Sequence, residues 1–317
     1  MVIGIILIFV AAVTMLIGGT VNLKNGVSPI KGLEWPYNSM NYISVKDMGV
    51  HPLKVAIIDT GIDLSQACFK NVDIKTYSAG GDYKTSDRHG TLVAGIICGS
   101  RLLRDNNLLK STSFYSIDVG TDDNIKLESL IEGIKLAVKQ RVDIINLSIG
   151  AYKNDPELKS AIDAAFKNNI IVVCAAGNDS TKQYAYPAGY DGVISVSGVD
   201  ANGEYLLNNN INDKVIVCAP GERIPTHIYD KDNHGLEVMM NGTSASAALI
   251  TDVAIALKSV KEDLYPGEMA RIIKNTSEDL GAAGKDSYYG YGLINYKKAV
   301  LYEKNSFLYR LYDLFCD

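Results

Sequence analysis

The chain has 317 residues, 47% of them hydrophobic, enough to bury a large core in an α/β domain of more than 200 residues. Its formal net charge is -5, with 31 basic against 36 acidic residues, which lacks the basic excess that nucleic-acid binding needs. The five cysteines, Cys68, Cys98, Cys174, Cys218 and Cys316, make no CxxC pair and no metal spacing with histidine, which argues against a disulfide-stapled secreted scaffold.

The first element is an apolar run. From Val2 to Val21 no side chain is charged, and Ile, Leu and Val dominate. Such a length can cross a bilayer as a helix, so residues 1–21 are expected to be a membrane anchor that contacts the lipid bilayer through residues 2–21. A cleaved signal segment is the rival, but no Lys or Arg precedes the run and no clear A-x-A site comes after it. Lys24 and Lys31 come after it, which favours a domain held on the cytoplasmic side. Residues 22–32 form a polar linker with Gly26 and Pro29. No internal repeat and no Pro/Gly/Ser-rich break divides the remainder of the chain, so residues 33–301 are expected to be one domain.

Within that domain, compact apolar runs alternate with helical patterns. Lys54–Ile58, Phe114–Val119, Val142–Leu147, Ile170–Cys174, Val193–Val199 and Val215–Cys218 lack polar alternation, as strands buried on both faces do. Between them, Leu127, Leu130, Ile131, Ile134 and Val138 form one stripe of a helix over 124–140. Asp155-Pro156 opens another helix, as N-cap followed by proline at the first position. The pattern predicts an α/β fold with a mostly parallel central sheet flanked by helices, functional residues gathering at the carboxyl ends of strands. Cys98, Cys174 and Cys218 fall inside apolar runs and read as small buried hydrophobes.

Three local patterns carry possible chemistry. Asp59 ends a buried strand and is followed by Thr60-Gly61, although Asp-x-Gly is also common in ordinary turns. His89 stands at the mouth of an apolar helix rich in small residues, where close helix packing is expected; a capping histidine is the alternative. His51, His227 and His234 are expected in polar loops without comparable context. Ser244 lies where Asn241-Gly242-Thr243 turns into a buried helix, so that free amides at the helix N-terminus surround its hydroxyl. Capping by Ser244 or Thr243 is the plainer alternative, and Ser246 reads as a small helix residue.

Taken together, the Asp…His…Ser order and the segments DTGID (59–63), HGT (89–91) and GTSAS (242–246) resemble the subtilase family of serine peptidases. Asn146–Gly150 is similar to its substrate-binding strand, Ala175–Asp179 to the segment with the oxyanion-hole asparagine, and Tyr289–Asn295 to its closing segment. The likeness covers about residues 50–300. It implies a subtilisin-like three-layer fold and a serine endopeptidase with Asp59, His89 and Ser244 as catalytic triad. It further implies Asn178 as oxyanion donor and Ser148 and Gly150 as backbone partners of an extended peptide or protein substrate.

No cofactor or metal is needed for such chemistry, and structural calcium, frequent in the family, finds no clear ligand cluster here. Leu92 and Ala248 depart from the family at non-catalytic positions, and 101–113 lacks its usual turn. The short stretch before Asp59 leaves no room for the folding prodomain of secreted relatives, which favours a tethered processing protease. A catalytically inactive binding or scaffold protein on the same fold is the alternative. Asp118, Asp122, Asp123 and Glu128 could attract basic peptide residues or form a solvated acidic loop. The tail, residues 302–317, is amphipathic and expected to dock on the domain. Oligomeric state is not legible.

Overall fold

The computed structural model of the chain describes residues 8–9, 34–44, 51–83, 85, 88–121, 124–229 and 237–302. In chain order they form β1 (Ile8–Phe9), α1 (Trp35–Ser39), β2 (Leu53–Asp59), β3 (Ile74–Ser78), α2 (His89–Gly99), α3 (Arg101–Asp105) and α4 (Leu108–Ser111). Then come β4 (Thr112–Asp118), β5 (Gly120–Thr121), β6 (Asn124–Ile125), α5 (Leu127–Lys139), β7 (Ile144–Leu147), β8 (Gly150–Ala151), α6 (Pro156–Lys167) and β9 (Ile171–Ala175). The last are β10 (Ile194–Val199), β11 (Val215–Pro220), β12 (Ile224–Tyr229), β13 (Glu237–Met240), α7 (Thr243–Val260) and α8 (Pro266–Thr276).

Seven strands make one sheet in the order β11-β10-β9-β7-β2-β4-β3, each neighbouring pair parallel. The apolar runs supply six of the seven, all but β3, because a parallel sheet is covered on both faces. Successive side chains of β2 serve opposite layers. Leu53, Val55 and Ile57 join one core with residues of α2, α3, α7 and α8; Ala56 and Ile58 join the other with α5 and α6. The sheet is thus the middle of three layers. β3 lay outside the predicted strands because it is an edge strand with Lys75 and Thr76 exposed.

The helices follow their sequence signals. Asp155 Oδ1 accepts from the amides of Glu157 and Leu158 at 2.9 and 3.3 Å, capping α6 as expected. α5 starts at Leu127, since Asn124 and Ile125 pair instead with Gly120 and Thr121 in the β5–β6 hairpin. α2 is buried along its whole length. A Cβ on its Gly95 would stand 2.2 Å from the carbonyl oxygen of Thr226 in β12, so the small residues do permit a close approach. That strand contains His227, expected in a loop. Cys68, Cys98, Cys174 and Cys218 are buried free thiols; burial pushes Cys68 up to about 11 and Cys174 up to about 12.

Among the described residues, α7 is the one helix long and apolar enough to cross a membrane, and it is the core helix of the domain. Of the apolar run over residues 2–21, Ile8 and Phe9 are among the described residues. They form β1, which pairs antiparallel with β8. Residues 22–32 and 303–317, read as linker and docking tail, lie outside the described residues.

Candidate active site

The chain turns back across β2: β4 and β3 lie to one side, β7, β9, β10 and β11 to the other. A crevice at the carboxyl ends of strands is expected at such a reversal. Asp59, the last residue of β2, and Ser148, just after β7, sit there.

His89 begins α2 and is fully buried. Its Nδ1 lies 2.8 Å from Asp59 Oδ1, which also accepts from the Thr60 amide at 2.8 Å. A carboxylate only accepts, so Nδ1 carries the proton and Nε2 is left as an acceptor. Nε2 lies 3.3 Å from Ser244 Oγ. The approach of α2 to the end of β2 depends on Gly90, where a Cβ would stand 2.4 Å from the Gly61 carbonyl oxygen and 3.2 Å from Asp59 Oδ1. Thr60 Oγ1 accepts from the Gly90 amide at 3.1 Å and locks the two segments together.

Ser244 is the second residue of α7. Its N-cap, Gly242, has φ 104° and ψ 178°, a conformation essentially reserved for glycine. The same turn brings Thr243 to Asn178, after β9. The Thr243 amide and hydroxyl donate to Asn178 Oδ1 at 2.9 and 3.1 Å, while Thr243 Oγ1 accepts from the Gly177 amide at 3.2 Å. With Oδ1 so fixed, the Asn178 Nδ2 group remains as a donor. Ser148 follows β7. Its carbonyl oxygen lies 3.5 Å from Ser244 Oγ, and its hydroxyl donates to the Ser244 carbonyl at 3.4 Å. Ser148, Gly150, Ala175, Asn178, Ala185 and Ser244 line one small open cleft.

All six residues singled out in the sequence therefore converge on this cleft or its wall. Thr60 and Thr243 were missed as positioning residues, because their partners lie 30 and 65 residues away in sequence. Ser246 does more than fill space: its hydroxyl lies 3.2 and 3.0 Å from the carbonyl oxygens of Ala219 and Pro220 and ties α7 to β11. Asp118 is not a free surface charge. It is buried, and its Oδ1 accepts from the Gly120 amide at 2.9 Å. Asp122 and Asp123 lie outside the described residues. Among the described residues no group of three or more His, Cys, Asp or Glu side chains is placed to hold a metal ion.

The arrangement offers a hydroxyl, a general base, an acid that orients the base, and an amide donor beside the segment Ser148–Gly150, the parts needed for acyl transfer. Comparison with known proteins agrees. The family model described as Peptidase_S8, the subtilase family, matches residues 51–292. Subtilisin DY of Bacillus licheniformis is 32% identical over 259 residues, 78% of this chain and 90% of that protein. The major intracellular serine protease of Bacillus subtilis (strain 168) is 34% identical over 237 residues, 69% of this chain and 72% of the relative. The solved structure of the patellamide maturation protease PatA matches with a TM-score of 0.68 at 25% identity, covering 81% of this chain and 98% of that one.

Proposed function

The chain belongs to the subtilase family and is a serine-type endopeptidase, and from that premise we propose that Asp59, His89 and Ser244 are its catalytic triad. The observation that carries this is the unbroken line from Asp59 Oδ1 through the buried imidazole to Ser244 Oγ, with contacts of 2.8 and 3.3 Å. Ser244 attacks the scissile carbonyl as His89 Nε2 accepts its proton, and Asp59 stabilises the imidazolium that forms. His89 then protonates the leaving amine, and water hydrolyses the acyl-enzyme by the same steps in reverse. Asn178 Nδ2 and the Ser244 amide hold the oxyanion; losing one such donor costs about 3–4 kcal/mol of transition-state stabilisation. The extended substrate adds as a strand along Ser148–Gly150. Chemistry of this kind needs no cofactor.

The finer reading is a membrane-tethered protease that processes peptides or proteins, with its catalytic domain on the cytoplasmic side. The uncharged run over residues 2–21 and the lysines after it support the tether and its orientation. The likeness to a patellamide maturation protease supports peptide processing. An inactive scaffold has no reason to keep the hydroxyl, imidazole and carboxylate in line. A fluorophosphonate probe tests the triad: it is expected to label the wild type and to leave Ser244→Ala unlabelled. An unlabelled wild type, or a labelled Ser244→Ala, would overturn the assignment.

A further inference from the structure

In the mechanism above, the reacting carbonyl lies between Ser244 Oγ and Asn178 Nδ2, with the peptide backbone along Ser148–Gly150. The residue before the scissile bond then sends its side chain into the cleft between Ser148–Gly150 and Ala175–Gly177, where Ala185 stands across from Gly150. That cleft is small. Its volume is about 10 Å³, where one water molecule needs roughly 10–15 Å³ on the same measure. A Cβ on Gly150 would already stand 3.4 Å from the Ala185 methyl carbon and 3.3 Å from the Tyr186 carbonyl oxygen. These are contact distances, so the gap between Gly150 and Ala185 is one carbon wide. None of the residues lining the cleft carries a charge.

The walls are also tied, so a longer side chain cannot part them without breaking hydrogen bonds. Ala151 exchanges both backbone hydrogen bonds with Tyr186, at 2.8 and 2.7 Å, and the Ala185 carbonyl accepts from the Gly189 amide at 2.7 Å. Ala185 itself is buried. On the opposite wall the Gly177 carbonyl accepts from the Asn210 amide at 3.0 Å, and Asn210 Nδ2 donates to the Ala176 carbonyl at 3.2 Å. Asn210 Nδ2 also donates to the Tyr152 hydroxyl at 3.0 Å, and that hydroxyl donates to Asp179 Oδ2 at 2.8 Å. Tyr152 directly follows β8, so its side chain joins one wall to the other. The Asp179 carboxylate is thereby engaged by a tyrosine, and the cleft offers a cationic side chain no counter-charge.

Resting on the triad and peptide-binding roles proposed above, we propose that this protease cuts after a small residue, glycine or alanine, and that Ala185 sets the limit. An alanine methyl fits a space one carbon wide. A leucine or phenylalanine side chain carries several more carbons into a site walled by fixed backbone, where overpacking is destabilising. A side chain left partly outside pulls its carbonyl away from Ser244 and Asn178, and small misplacements there are costly in rate. The limit therefore acts on the chemical step as well as on binding.

The test is a series of fluorogenic peptides that differ only in the residue before the cleaved bond: glycine, alanine, leucine, phenylalanine and lysine. For the full-length wild type, kcat/KM is expected to be highest with glycine or alanine and about 100-fold lower with leucine. Preference for leucine, phenylalanine or lysine would overturn the proposal. Ala185→Gly, which removes the methyl, should narrow the ratio between alanine and leucine about tenfold. Ala185→Val should shift preference from alanine to glycine, and serves if the glycine variant does not fold. Ratios that neither variant moves would show that Ala185 does not set the limit. Should no peptide be hydrolysed, the triad assignment fails separately, and binding still decides. Fluorescein-labelled peptide acids ending in alanine or phenylalanine are titrated against Ser244→Ala by fluorescence polarisation. Binding about tenfold tighter for the alanine peptide supports the size limit; equal or inverted affinities exclude it.

Discussion

Thr243 is one residue before the nucleophile and touches no substrate in the proposed mechanism, yet it fixes the orientation of Asn178. Its amide and hydroxyl both donate to Asn178 Oδ1, and its oxygen accepts from the Gly177 amide. Thr243→Val keeps the shape and the amide donor but removes the hydroxyl. The carboxamide then loses one of its two anchors, and the Gly177 amide loses its acceptor. We expect kcat to fall by about tenfold with KM little changed, against roughly 10²–10³-fold for Asn178→Ala, which deletes the oxyanion donor itself. Thr243→Ser should recover most of the loss. A valine variant with wild-type kcat would show that the amide alone holds Asn178. Nothing in the local sequence distinguishes this role from capping, because the partner arrives from the end of β9.

At the scale of elements, the site depends on how closely α2 approaches the end of β2. The approach is set by Gly90, where a Cβ would lie 2.4 Å from the Gly61 carbonyl and 3.2 Å from Asp59 Oδ1. A backbone oxygen cannot yield as a flexible side chain can. Gly90→Ala must move the start of α2, and His89 with it, against a base–nucleophile contact that is 3.3 Å. Misplacement on the order of 1 Å costs about 100-fold in rate, and that loss in kcat, with the protein still folded by circular dichroism, is the expected outcome. Full activity would mean that the two elements can separate without losing the triad. The elements themselves were legible to different degrees. Both-face burial makes β2, β4, β7, β9, β10 and β11 apolar runs, which periodicity detects. β3 at the edge, and the short α3 and α4, carry too little apolar pattern for that. β8 is legible only as part of a family motif, and its pairing with β1 joins residues far apart in sequence.

For the molecule as a whole, one buried group works against the fold rather than for catalysis. Asp252 lies midway along α7, fully buried, with neither carboxyl oxygen within hydrogen-bonding range of a partner. Around it lie Tyr37 of α1, Cys98 of α2, Ser100, and Tyr296, whose own hydroxyl is unpaired. Loss of solvation drives its pKa well above the usual carboxylate range. The folded protein therefore holds a proton that the unfolded chain, with an ordinary aspartate pKa of about 3.9, releases. Where the native state binds more protons than the unfolded one, stability falls as pH rises. The loss begins near the unfolded pKa and continues up to the folded one, at about 1.4 kcal/mol per pH unit. Asp252→Asn keeps the volume and carries no titrating proton. Its stability relative to wild type, from urea unfolding at pH 4, 5, 6 and 7, should therefore climb with pH. Contributions from all other groups cancel in that difference. A flat difference would mean that Asp252 ionises as readily in the fold as in the open chain, and that water or movement of α1 reaches it.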